Sequence, residues 1–131
     1  MIITHCSPTP FSQFDVSKYS KFGDYGEGVY FFLGDYCAYA LHIDNLVYRV
    51  DGSLLKTITV NDCNPANNYW KYEQEIDAVI ISNQFLKNPI VVVKKLGVAK
   101  LSIISVEKIM EIIDENGSPV MFSTETRIYI V

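Results

Sequence analysis

Short apolar runs broken by polar, glycine-bearing and proline-bearing stretches recur along the chain. That rhythm predicts many short strands and few helices. Residues 2–5 are β-branched and apolar up to His5, so they read as a strand, and Pro8 turns the chain away after it. Residues 9–22 mix Pro, Ser, Gln and Asp with isolated aromatics, a pattern for a surface loop pinned by Phe11, Phe14 and Tyr19. A strand follows at 29–32, after which Asp35 can cap a short helix whose Ala38, Leu41 and Ile43 pack on a sheet. The runs 46–50 and 54–60 flank Asp51-Gly52, the dipeptide preferred in tight turns, and together predict a hairpin. Residues 61–68 read as loop and 69–75, with Trp70, as one or two helical turns. Strands are expected at 78–82, 90–93 and 100–105, with a loop at 83–89. Residues 106–113 suit strand or helix alike. Asn116-Gly117 marks a turn, and 120–122 and 128–131 read as closing strands.

The sum is a β-dominated α+β domain. At 131 residues the chain is expected to form a single domain over 1–131. Its 49% hydrophobic and 20% charged residues are ordinary globular values, and no apolar run approaches the ~18–20 residues of a membrane-spanning helix. The start, MIITHCSP, carries no export signal, so a cytoplasmic protein without a membrane partner is expected. A net charge of −4 and scattered basic residues argue against a nucleic-acid surface. Only Lys94-Lys95 are adjacent, so the phosphates of a nucleotide would fall to backbone amides and isolated cations such as Lys18, Lys21 or Arg49. Cys6, Cys37 and Cys63 form no CxxC pair and indicate a reducing compartment. With only His5 and His42 as company, they point to no metal site.

The stretch 23–40, GDYGEGVYFFLGDYCAYA, carries the most chemistry. Its glycines allow positive φ and close approach of backbone to a ligand, and Tyr25, Tyr30, Tyr36 and Tyr39 offer flat faces with polar tips to a planar ring. Tyr36 and Tyr39 stand at i and i+3 and share a helix face. The same run also suits a tight turn beside a core. His5 closes the first strand, and neighbours on a strand point to opposite faces, which disfavours a direct Cys6–His5 nucleophilic pair.

GEGVYF at 26–31 resembles the GxGxYF motif of the ADP-ribosyltransferase superfamily, in its poly(ADP-ribose) polymerase branch. YCAY at 36–39 resembles the turn that holds that branch's second tyrosine, and His5-Cys6-Ser7 resembles its His-Gly-Ser/Thr. The likeness extends over roughly residues 2–105, with its local matches in the first 40. It implies a split two-sheet ADP-ribosyltransferase-like fold of short strands with a few short helices, and NAD as co-substrate. His5 would then donate a hydrogen bond to the ribose beside the nicotinamide, the Cys6 backbone would clamp the carboxamide, and the Ser7 hydroxyl would add a contact. Tyr39 would stack on the nicotinamide with Tyr30 behind it, Tyr36 competing because the spacing is two residues shorter. Tyr25 and Gly28 complete the binding set.

The family's glutamate precedes an apolar strand, as in NEYIVY, and the matching stretch here is NPIVVV at 88–93, with Pro89 in its place. Gln84 and Asn83 are the uncharged substitutes on the preceding loop, so the catalytic set is Gln84, Asn83 and His5. Glu73, Glu75 and Asp77 read as solvated charges, and Glu125 falls out of the family's chain order. The implied function is an NAD-dependent mono-ADP-ribosyltransferase acting on a host protein. Its size and its start resemble compact phage and bacterial transferases, including anti-CRISPR proteins with a similar His-x-Ser-Pro. An effector from a phage or prophage that inactivates a defence component fits. The alternatives are an NAD glycohydrolase, or an inactive module that binds NAD, ADP-ribose or a protein.

Overall fold

Seven of the short apolar runs pair into one mixed sheet. The computed structural model describes residues 1–7, 10–14, 28–34, 41–42, 46–61, 75–82, 89–109, 112–113, 116, 118–120 and 122–123. In chain order the strands are β1 (Ile2–Ser7), β2 (Val29–Leu33), β3 (Leu41–His42), β4 (Leu46–Asp51), β5 (Thr57–Val60), β6 (Ala78–Ile81) and β7 (Ile90–Val93). A 3-10 helix at Lys95–Lys100 then leads to β8 (Ser102–Lys108), β9 (Ile112–Ile113), β10 (Pro119–Val120) and β11 (Phe122–Ser123). The large sheet runs β5-β6-β7-β2-β1-β4-β8, while β9 pairs with β10 and β3 with β11. Within it β5 and β6 are parallel, and the other neighbours are antiparallel. The described part is thus mostly sheet.

Strand alternation divides the apolar residues between two faces. Ile3, Phe31, Tyr48, Val50, Val91 and Val93 form one core with Leu55 and Val98. Val79, Ile81 and Val92 form a second with Val60. Burial on both faces explains why β6 and β7 read as unbroken apolar runs, AVII and IVVV, with no polar alternation.

The hairpin expected at Asp51-Gly52 does not form. A turn is present: Asp51 Oδ1 accepts the Ser53 N–H at 2.8 Å, and the Leu55 N–H donates to Gly52 O at 3.0 Å. Yet β4 lies between β1 and β8, while β5 stands at the far edge beside β6. Turn residues specify a local reversal, whereas the partner strand is chosen by which face can be buried. In a flat sheet β4 and β5 would be five spacings apart, about 24 Å. The six steps from Asp51 to Thr57 reach only about 20–22 Å at full extension. The sheet must therefore coil, through a twist of about 20–25° at each neighbouring pair. Leu55 accordingly joins Ile3 in the core. A Cβ on Gly52 would lie 3.0 Å from Leu55 Cδ1 and 3.1 Å from Met1 Cε.

Other expectations shift less. Leu41, expected in a helix, lies in β3 against Ser123. The strand expected at 100–105 begins at Ser102, because Lys95–Lys100 first winds into the 3-10 helix. There Gly97 is so close to Asp77 that a Cβ would meet its carbonyl oxygen at 2.7 Å. The ambiguous 106–113 is extended where described, continuing β8 and forming β9. Asp77, expected to be a solvated charge, is 5% exposed. Its Oδ2 accepts the Lys56 N–H and the Lys100 ammonium, each at 2.8 Å. The helical turns expected at 69–74, the capping Asp35 and the strand at 128–131 lie outside the described residues.

Candidate functional site

The site is built where β1 parts from β2. The ladder between them is registered at Ile3↔Leu33 and Thr4↔Phe32, and beyond its other end the Gly34 N–H donates to Ile2 O at 2.8 Å. Alternation then points the even-numbered backbone groups of β1 at β2, so the Tyr30 carbonyl is next in line for the Cys6 amide. The imidazole of His5 takes that carbonyl instead, with Nδ1 2.8 Å from Tyr30 O. A carbonyl only accepts, so Nδ1 carries the proton, and the neutral ring presents the Nε2 lone pair as an acceptor.

Aromatic rings enclose this imidazole. Phe11, Phe14 and Phe31 lie with centroids 6.2, 5.6 and 5.5 Å from it. Burial pushes the His5 pKa below the ordinary histidine value, and the hydrogen bond to the Tyr30 carbonyl only partly offsets this. His5 is therefore neutral at pH 7.

Of the residues singled out from the sequence, His5, Cys6, Ser7, Gly28 and Tyr30 are described. Cys6 pairs with Val47 and Ser7 with Leu46 along β4. Cys6 is a half-buried thiol whose side chain points away from His5, as strand neighbours must. Tyr30 pairs with Val92 and packs with the second core, on the face opposite the imidazole. His5 and Tyr30 thus meet through a backbone carbonyl and not ring to ring. Tyr25, Tyr36, Tyr39, Asn83 and Gln84 lie outside the described residues, as do Lys18, Lys21, Glu73 and Glu125.

The close approach that Gly28 permits is to β7. A Cβ there would lie 2.6 Å from Val92 Cγ1 and 2.8 Å from the Val93 carbonyl oxygen. Backbone cannot yield as a side chain can, so Gly28→Ala is expected to cost about 1–3 kcal/mol, read as a lower midpoint in urea. An unchanged midpoint would show that β2 and β7 separate there without strain.

Arg49, a candidate for phosphate, is committed elsewhere: Nη1 lies 2.9 Å from Glu107 Oε1. Its register opposite Thr4 also puts it on the face away from His5. Pro89 stands level with Leu33, whose N–H donates to Pro89 O at 2.9 Å. Continuing the registers of β1, β2 and β7 puts position 89 two strands across and two residues along from His5, about 12 Å. Phe31 and Val91, 2% and 0% exposed, fill the face between.

Two neighbours of His5 were not legible as site residues. Tyr48, directly opposite it on β4, reads in the sequence as one more apolar strand position. Phe11 reads as a loop anchor, and its role depends on Tyr48.

The fold and site define a small, mostly-sheet domain with a neutral, aromatic-enclosed histidine where two central strands part. No family model, curated protein or solved structure matches the chain. Among the described residues no helix is long and apolar enough to cross a membrane, and no cluster of three or more His, Cys, Asp or Glu stands ready for a metal ion.

Proposed function

We propose that this domain is an NAD-dependent mono-ADP-ribosyltransferase that modifies a protein, with a host defence component as the class of target. The observation that carries the reading is His5: a neutral imidazole in β1, two residues before its end at Ser7, with Nδ1 engaged by Tyr30 and Nε2 left as acceptor. The sequence resemblance has this histidine donate to a ribose. With the Nδ1 proton spent on Tyr30, the ring accepts from a ribose hydroxyl instead.

Neutrality suits the chemistry. Breaking the nicotinamide–ribose bond develops oxocarbenium-like positive charge, which an imidazolium at that distance would oppose and a neutral ring does not. The aromatic enclosure also keeps water from one side of the reacting centre. Tyr39, Tyr36 and Tyr25 would supply the stacking faces, and Gln84 and Asn83 the groups that orient the ribose.

A second reading, a module that binds NAD or ADP-ribose without turnover, is favoured by one observation: Pro89 stands where the family carries its glutamate. Calorimetry with NAD tests what both readings share. The wild-type protein should bind, and His5→Ala and Tyr39→Ala should each weaken binding by about 1 kcal/mol or somewhat more. Unchanged affinity in both variants would remove the site from this part of the fold.

A further inference from the structure

Segment 10–14 is described without helix or strand, yet it lies in a defined place against the sheet. The hydroxyl of Tyr48 accepts the Phe11 N–H at 2.8 Å and faces the Phe11 carbonyl oxygen at 3.3 Å as donor. The two rings stack at 4.0 Å and 8°. Tyr48 is fully buried, so its hydroxyl needs a partner inside the protein. It finds both in the main chain of one loop residue.

The consequence falls on His5. Phe11 packs on Phe14 at 4.8 Å, Phe14 packs on Phe31 at 5.1 Å, and all three rings bound the imidazole. We propose that Tyr48 is a positioning residue for His5: by gripping the main chain of Phe11 it holds Phe11 and Phe14 over the imidazole, which keeps Nδ1 on the Tyr30 carbonyl. The geometric part stands on the contacts of Tyr48 and Phe11. Its consequence for ligand binding rests on the transferase reading.

The packing of the ring is what Tyr48→Phe preserves. That variant keeps the stack and the buried volume but leaves the Phe11 N–H and C=O without the hydroxyl, so the loop loosens while the sheet remains. Among the described residues, the rings packed against the imidazole, Phe11, Phe14 and Phe31, do not titrate, and the phenol hydroxyl of Tyr48, opposite His5 on β4, is the group that the variant removes. Against these uncharged rings, a change in the behaviour of His5 reports its enclosure and its bond to Tyr30.

The experiment is a titration of the full chain by nuclear magnetic resonance, with nitrogen-labelled histidine and the His5 signals assigned by their loss in His5→Ala. In the wild type His5 should titrate below the ordinary histidine value and show a protected Nδ1–H. In Tyr48→Phe its titration should move upward and the Nδ1–H signal should be lost to exchange. Nicotinamide affinity should fall about tenfold, the equivalent of one hydrogen-bonded contact. An unchanged titration and an unchanged Nδ1–H in Tyr48→Phe would overturn the proposal. Should that variant fail to fold, Phe11→Leu, which keeps the main-chain bonds and removes the ring, decides by the same two signals. If wild-type protein binds neither nicotinamide nor NAD, the transferase reading falls, while the titration still decides the role of Tyr48.

Discussion

Asp77→Ala is expected to lower the stability of the domain by about 3–4 kcal/mol, since two hydrogen bonds to a charged, buried carboxylate are lost and each contributes about 1.5–3 kcal/mol. The upper end is not reached because Lys100, 47% exposed at its side chain, regains water when its partner is removed. The residue holds more than one element. Its N–H donates to Lys56 O at 2.8 Å, its own carbonyl accepts the Lys94 N–H at 2.7 Å, and its Oδ2 takes the Lys56 amide and the Lys100 ammonium. The start of β5 and the 3-10 helix therefore close on its side chain, and the end of β7 on its main chain.

Burial by itself would push the Asp77 pKa up. The Lys100 hydrogen bond, the Lys56 amide and the two lysine charges together outweigh it and hold the carboxyl below the ordinary aspartate value. A depressed folded pKa means that the stabilisation is fully present above the unfolded value of about 3.9 and is lost as pH falls through the folded value. Denaturation in urea at pH 7 should show the full gap between wild type and Asp77→Ala, a difference of about 10–15 °C on thermal melting. The gap should narrow below pH 3.9. A gap under about 1 kcal/mol at pH 7 would show that the lysines and the Lys56 amide find other partners.

The second large effect concerns turnover. NAD hydrolysis without a protein acceptor is expected to stay near background, with modification of the correct acceptor at least about 100-fold faster. Groups aimed at developing charge commonly contribute about 3–4 kcal/mol, and on the transferase reading Pro89 stands where the resembled family carries its glutamate. The described carboxylates offer no ready substitute. Asp77 is engaged by Lys100, Glu107 by Arg49 and Asp51 by the Ser53 amide, and Glu75 lies in solvent 3.9 Å from the Lys56 ammonium. Position 89 itself is separated from His5 by the buried Phe31 and Val91, so on that reading rate would come from alignment, with a docked partner presenting the nucleophile to a ribose held by His5 and Gln84. Isotope-labelled NAD incubated with the protein and a bacterial lysate measures both rates. A mass increment on one lysate protein with little free nicotinamide supports the transferase reading. Rapid partner-free release of nicotinamide would overturn it in favour of a glycohydrolase and direct attention to Glu73, Glu75 and Glu125, and neither product would leave the binding module.

The strands at the centre of the fold could be read from the amino-acid sequence. The β-branched and aromatic runs at 2–5, 29–32, 46–50, 78–82 and 90–93 lie within a residue or two of β1, β2, β4, β6 and β7, because a run of such side chains has little alternative to a pleated, buried surface. His5 could likewise be singled out, although β1 runs past it to Ser7 instead of ending there, and so could Phe11 and Phe14 as the residues that pin their loop. Which strands became neighbours could not be read. Asp51-Gly52 specifies a turn, but β4 takes its ladder partners from β1 and β8, so the turn became a crossing between distant strands of a coiled sheet. The ionic tie of Asp77 escaped for a related reason: a carboxylate shows no partner in sequence when that partner, Lys100, lies 23 residues away. The same holds at the site, where Nδ1 of His5 meets a carbonyl 25 residues on and the Tyr48 hydroxyl grips a main chain 37 residues back. Local propensity determined the pieces. Long-range burial, which no single stretch of residues encodes, decided how they met and set the chemistry of the one histidine between them.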